Sequence, residues 1–127
     1  MEERKQYLQL NDIDAYKSAF KLSNYVWDIV IRWSHFEKDT IGKQFVRAVD
    51  SVSANLAEGF GRFGKKDKIK FYRIARGSVY ECLDWNEKAK IRNLLTEEQY
   101  KHIFQSLQLL PKQINGLVKS TNDNLKI

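Results

Sequence analysis

The sequence predicts an all-α protein, an antiparallel up-down-up-down four-helix bundle with helices over about 12–34, 40–60, 65–93 and 96–119. Three observations carry that expectation. Apolar residues recur at intervals of three and four through four segments, the period of one helix face. With 6 glycines and 1 proline in 127 residues, the chain lacks the turn signals that short strands need. The links between segments are short, and short links join antiparallel neighbours.

The first segment places Tyr16, Ala19, Phe20, Ser23, Val26, Trp27, Val30 and Trp33 on one side, with Lys17, Lys21, Asp28 and Arg32 opposite. Leu22, Ile29 and Ile31 widen the apolar arc to roughly 200°, about twice the stripe of a surface helix. A helix this apolar is expected to meet more than one neighbour and to take part in self-association. Thr40 reads as the N-cap of the second helix. Ile41, Phe45, Ala48, Val49, Val52, Leu56 and Phe60 mark its buried face, and Gly59 and Gly61 suit its C-terminal turn. The third helix starts after Gly64 and ends near Asn93. Phe71, Tyr72, Ala75, Ser78, Val79, Cys82, Leu83, Asn86 and Ala89 share one of its faces. The fourth opens on Thr96-Glu97-Glu98-Gln99, a capping-box pattern. Its inner face is Tyr100, Ile103, Phe104, Leu107, Leu110, Ile114, Leu117 and Val118. Pro111 is expected to kink or split this helix, and the polar residues after Lys119 to fray. Residues 1–127 read as one domain with frayed N- and C-terminal ends.

Twenty-two Lys and Arg against 16 Asp and Glu give a net charge of +6. That excess favours an anionic partner such as nucleic acid; the plainer alternative is a solvated basic surface. The single cysteine, Cys82, excludes an internal disulfide and fits a reducing compartment. The N-terminus, MEERKQYLQL, is charged from its second residue, and no stretch approaches the ~18 apolar residues of a membrane span. A cytoplasmic location is expected.

Residues 45–85 read FVRAVDSVSANLAEGFGRFGKKDKIKFYRIARGSVYECLDW. Asn55-Leu56-Ala57-Glu58-Gly59 is followed by a short basic loop and then by Phe71-Tyr72-Arg73-Ile74-Ala75-Arg76-Gly77-Ser78-Val79-Tyr80-Glu81. These two motifs, at this separation, resemble the bacterial four helix bundle protein family, also called the intervening-sequence proteins of large-subunit ribosomal RNA. Ser53 stands where the family often has proline, and Trp85 and Asn86 where many members have plainer aliphatics. The resemblance implies a four-helix protomer, a ring-like homopentamer and a tie to RNA. It is also similar to the accessory variability proteins of diversity-generating retroelements, which implies a reverse transcriptase and its template RNA as partners. No enzyme activity goes with the family.

Asn55, Glu58, Arg76, Gly77, Ser78 and Glu81 read as a structural or oligomer network. Glu58 is expected to pair with Arg76 between the second and third helices, where a guanidinium can hold a carboxylate by two hydrogen bonds. Asn55 would cap nearby backbone or a neighbouring subunit. Gly77, costly by about 1 kcal/mol in a helix interior, is expected where another helix comes close. Arg62, Lys65, Lys66, Lys68, Lys70, Arg73 and Lys88 are the candidate nucleic-acid-binding residues; repeated around a ring, they would neutralise many phosphates. Phe60, Phe63, Tyr72 and Tyr80 flank this stretch and read as core or interface packing residues, although an exposed ring can stack on bases. Cys82 lies on an apolar face and reads as a small buried residue.

Neither His35 nor His102 has a Glu three residues before it, so the di-iron pattern of some bundles is missing. No metal, cofactor, small-molecule substrate or catalytic set is expected. The sequence therefore predicts a non-catalytic oligomer binding RNA or a nucleoprotein. The alternative is a protein–protein scaffold whose charge is incidental.

Overall fold

The computed structural model describes residues 8–125. Four long helices follow one another: α1 (Asp14–Val30), α2 (Lys43–Gly61), α3 (Lys65–Ile91) and α4 (Glu97–Asn124). A 3-10 turn, Leu10–Asp12, precedes α1; a single helical turn, His35–Glu37, and a π-helical stretch, Lys38–Gly42, lead into α2. No strand occurs among the described residues.

Residue numbers rise along one helix as they fall along its neighbour at every seam. Gly42 lies against Val30 and Asp50 bonds Ser23 between α1 and α2. Ser51 meets Ser78, and Gly59 meets Tyr72, between α2 and α3. Asn86 reaches Tyr100, and Arg76 reaches Asn115, between α3 and α4. The Tyr25 ring lies against His102, tilted by 35°, and Trp33 donates to the Leu94 carbonyl, on the α1–α4 side. Consecutive helices are thus antiparallel, as their short links require.

The core is one cluster drawn from all four helices. Ala19, Leu22 and Val26 come from α1, and Phe45, Val49, Val52 and Leu56 from α2. Tyr72, Ala75, Val79 and Cys82 come from α3, and Ile103, Leu107, Leu110 and Ile114 from α4. Each large apolar side chain among these contributes about 1.5–3 kcal/mol by leaving water. Asn86 is fully buried in this setting, and its amide donates to the Tyr100 carbonyl at 3.3 Å.

Six expectations are corrected. The buried face of α1 is Ala15, Ala19, Leu22, Ser23, Val26, Ile29 and Val30, so Leu22 and Ile29 lie within the packed arc rather than at its margin. Phe20 and Trp27 face solvent, 51% and 52% exposed. An arc of this width exceeds what α2 and α4 cover, and periodicity does not say which part they take. The helix also ends at Val30, not near residue 34: the Arg32 and Trp33 amides reach back only three residues, to Ile29 and Val30. Trp33 then leaves the helix to bond Leu94 at 3.0 Å.

Thr40 does not cap α2. Its hydroxyl donates to the Phe36 carbonyl at 2.7 Å, inside a helical run whose N-cap position is Ser34. The π stretch ends at buried Gly42, where an added Cβ would lie 2.8 Å from Val30 Cγ1. Close approach to α1, rather than a capping side chain, sets the geometry of that entrance.

The C-terminal glycine reading of α2 also changes. No glycine among the described residues has positive φ; the one left-handed residue is Asn93, φ 60°, which ends α3. There the Leu94 amide bonds the Ala89 carbonyl at 2.9 Å and the Asn93 amide bonds Lys90 at 3.1 Å, the paired closure of a Schellman motif. Gly59 serves packing instead: an added Cβ would sit 2.7 Å from the Tyr72 ring.

Finally, α4 is neither split at Pro111 nor frayed after Lys119; it runs to Asn124. Pro111 removes one backbone bond, but fully buried Leu107, Leu110 and Ile114 hold both sides of it in the core. Buried Thr121 carries the helix further, its hydroxyl donating to the Leu117 carbonyl at 2.8 Å. The N-terminal end expected to fray, residues 1–7, lies outside the described residues, as do 126 and 127.

Candidate nucleic-acid interface

The α2–α3 link is three residues, Arg62 to Gly64. Arg62 is extended (φ −77°, ψ 153°) and its amide bonds the Gly59 carbonyl at 3.2 Å. Gly64 is extended too (φ −85°, ψ 148°), and its carbonyl accepts the Lys68 amide at 3.0 Å, which starts α3. The first turns of α3 then present Lys65, Lys66, Lys70 and Arg73. Together with Asp67, Ile69 and Asn122 of α4 they line an open cleft of about 780 Å³. Lys65 Nζ donates to the Asn122 carbonyl at 3.3 Å. Lys66 and Arg73 form no ion pair among the described residues. The positive end of the α3 dipole adds to their field. Such a cleft attracts a polyanion and can neutralise its phosphates.

The other three basic residues of the sequence-predicted group stand apart. Lys68 turns back onto α2: its ammonium donates to the Phe60 carbonyl at 2.7 Å and to Gly59 at 3.4 Å. It satisfies carbonyls that the end of α2 leaves without partners, and burial pulls its pKa below the usual lysine value. The structure thus withdraws Lys68 from the basic surface. Arg62 pairs with Glu58 at 2.9 Å and Asp67 at 3.8 Å, with its guanidinium 4.6 Å above the Phe71 ring. Lys88 lies about 22 Å further along α3 than Arg73 at 1.5 Å per residue. It is bound to Asp84 at 2.6 Å and sits over Trp85. At 100° per residue Asp84 shares the flank of Lys66, so the flank turns acidic before it reaches Lys88.

The expected Glu58–Arg76 pair does not form. Glu58 takes Arg62, one turn on in its own chain segment, and Arg76 donates to Asn115 Oδ1 of α4 at 2.6 Å. A partner four residues away is reached before one on another helix. The polar link between α2 and α3 is instead a relay. The Asn55 amide donates to the Ser51 hydroxyl at 3.0 Å, Ser51 meets Ser78 at 2.9 Å, and Ser78 donates to the Ile74 carbonyl at 3.3 Å. Ser51 was not singled out in the sequence reading; its position one turn before Asn55 was the available signal. Asn55 also bonds the Ser51 carbonyl at 2.8 Å, so it serves its own helix. Gly77 has nothing within 4 Å of an added Cβ, so no other helix among the described residues approaches it. Glu81 is exposed and makes no ion pair among the described residues.

The four aromatics divide. Tyr72 is buried and Phe60 packs on the core, with Lys68 5.4 Å from its ring. Tyr80 and Phe63 are exposed, so neither packs in the core of this chain. Asp67 and Asn122, which complete the cleft, were missed; Asn122 falls in the stretch read as frayed. Cys82 is fully buried, and burial, helped by nearby Glu81 and Asp50, pushes its thiol far above the ordinary range. No group of three or more His, Cys, Asp or Glu is placed to hold a metal, and no helix is long and apolar enough to cross a membrane, among the described residues.

The family model described as 23S rRNA-intervening sequence protein matches residues 11–116. The chain belongs to this family. The match spans α1 to α3 and most of α4, including the whole lysine-rich stretch at the start of α3. No curated protein sequence matches the chain. A crystal structure of a protein of unknown function from the S23 ribosomal protein family of Bacteroides thetaiotaomicron is similar in fold. It has a TM-score of 0.73 at 20% identity, covering 83% of this chain and 98% of that one. The shared feature at that identity is the helical architecture.

Proposed function

We propose that this member of the intervening-sequence protein family is a non-catalytic, self-associating RNA-binding module of the cytoplasm, with its RNA on the cleft at the start of α3. The observation that carries the reading is the convergence of Lys65, Lys66, Lys70 and Arg73 on that cleft, none of them paired with a carboxylate among the described residues. The RNA-related family supports the choice of polyanion.

Filter binding to a structured RNA between about 50 and about 200 mM salt tests it. Four phosphate contacts give a log–log slope of roughly −3 to −4. The double variant Lys66→Glu, Arg73→Glu should bind more weakly and lower that slope by about two. A wild-type slope near zero would overturn the reading and favour the scaffold.

The exposed Phe20 and Trp27 of α1 support self-association, because large apolar patches left open on a folded chain mark contacts with other proteins. The finer reading implied by the resemblance is a five-membered ring that repeats the cleft, with a reverse transcriptase as partner in the retroelement version. A reverse transcriptase encoded beside this gene, and co-purifying with its product, would assign the chain to that version.

A further inference from the structure

Phe63 is 89% exposed, more than any other large hydrophobic side chain among the described residues. It lies at the middle of the three-residue link, with Arg62 before it and Lys65 two residues on. Gly61 and Gly64 on either side have nothing within 4 Å of an added Cβ, so no described element crowds either glycine of this turn. The neighbouring rings are already engaged. Phe60 receives Lys68 and Phe71 receives Arg62, at 5.4 and 4.6 Å. Phe63 alone of the three has neither a cation nor a second ring against it among the described residues.

A phenyl ring left in water on a three-residue turn forgoes the stabilisation that burial gives. Phe63 stands two residues before Lys65, the first residue in sequence to line the cationic cleft. A chain of phosphates lying across Lys65, Lys66 and Arg73 would bring a nucleoside to this turn. Bases inside a duplex are stacked and paired and offer no free face, whereas an unpaired base does. We infer that Phe63 is a base-stacking platform, and that the cleft therefore takes single-stranded RNA in preference to duplex. This rests on the RNA reading above and specifies its substrate.

The test compares fluorescence anisotropy of a labelled single-stranded RNA, alone and annealed to its complement, on wild type and on Phe63→Ala, Phe63→Leu and Phe63→Trp. Phe63→Ala should weaken single-strand binding by about five- to a hundred-fold, the range of one lost base stack. Duplex affinity and the salt slope should stay as in wild type. Phe63→Leu, apolar but without a π face, should behave as the alanine variant, and Phe63→Trp should bind at least as tightly as wild type. Equal single-strand affinity of the alanine and wild-type proteins would overturn the inference, as would a leucine variant that binds like wild type. A fall in assembly mass of the alanine variant by light scattering would also overturn it, by assigning Phe63 to a subunit contact. A wild type with no salt-dependent affinity for either RNA form would instead overturn the RNA reading beneath it.

Discussion

Two glycines separate what a side chain type says from what its surroundings require. Gly59 and Gly77 both interrupt apolar helices, and both look costly by helix propensity. Gly59 is needed: a methyl there would press on the buried Tyr72 ring at 2.7 and 2.8 Å and on the Lys68 carbonyl at 3.0 Å. The carbonyl belongs to a helix backbone and the ring is core, so neither gives way freely. Gly59→Ala should lose about 1–3 kcal/mol by overpacking. Gly77 faces open space, and Gly77→Ala should raise the stability of the chain by about 0.5–1 kcal/mol. Urea melts of the two variants check the opposite signs. Lys68 carries the same lesson. It reads as one more surface lysine, yet its ammonium is spent on the carbonyls of Gly59 and Phe60. A lysine's reach of four methylenes leaves its target open until the neighbouring helix end is placed.

At the scale of elements, the four helices were legible because period 3.6 is a strong signal over segments this long. The start of α4 was legible as well. Thr96 Oγ1 accepts the Gln99 backbone amide at 3.1 Å, and Gln99 Oε1 accepts the Thr96 backbone amide at 2.9 Å. What stayed hidden depends on contacts between helices. The entrance of α2 follows the fit of Gly42 on Val30, and the length of α4 follows the packing around Pro111 and Thr121. The candidate site was half legible. The cations were visible as a run, but the run mixes a cap, an ion pair and a free cleft, which only the fold sorts. For α1 the width of the apolar arc was legible and its inward part was not. The outward part, Phe20 and Trp27, carries the self-association proposal. Phe20→Ser with Trp27→Ser should reduce the light-scattering mass to that of a single chain. Helical circular dichroism should be unchanged, since neither ring is in the core. A double variant that keeps the wild-type mass would place the contact elsewhere.

For the whole molecule, the core contains protons that folding refuses to release. Cys82 and Tyr72 are buried, and in both burial raises the pKa above the ordinary value. The unfolded chain loses these protons first, from about pH 8.5 for a thiol and about pH 10 for a phenol. Above those values the folded state binds more protons than the unfolded one, so stability falls as pH rises. Their contribution is whole below about pH 8.5 and is lost upward from there, at a limit of about 1.4 kcal/mol per pH unit for each group. Urea midpoints at about pH 8, 9 and 10 should therefore decline, and Cys82→Ala should flatten the decline that begins below the tyrosine range. An unchanged profile in that variant would remove the thiol from the account.

The links also differ by end. Trp33 bonded to Leu94 stitches the α1–α2 and α3–α4 links together at one pole. The opposite pole gathers the start of α1, the α2–α3 turn and the close of α4, where Lys65 reaches Asn122. Antiparallel packing of an even number of helices makes this unavoidable. Any cargo fused downstream of Asn124 would hang over the cationic mouth, so the site proposed for RNA is the one most easily obstructed by lengthening the polypeptide.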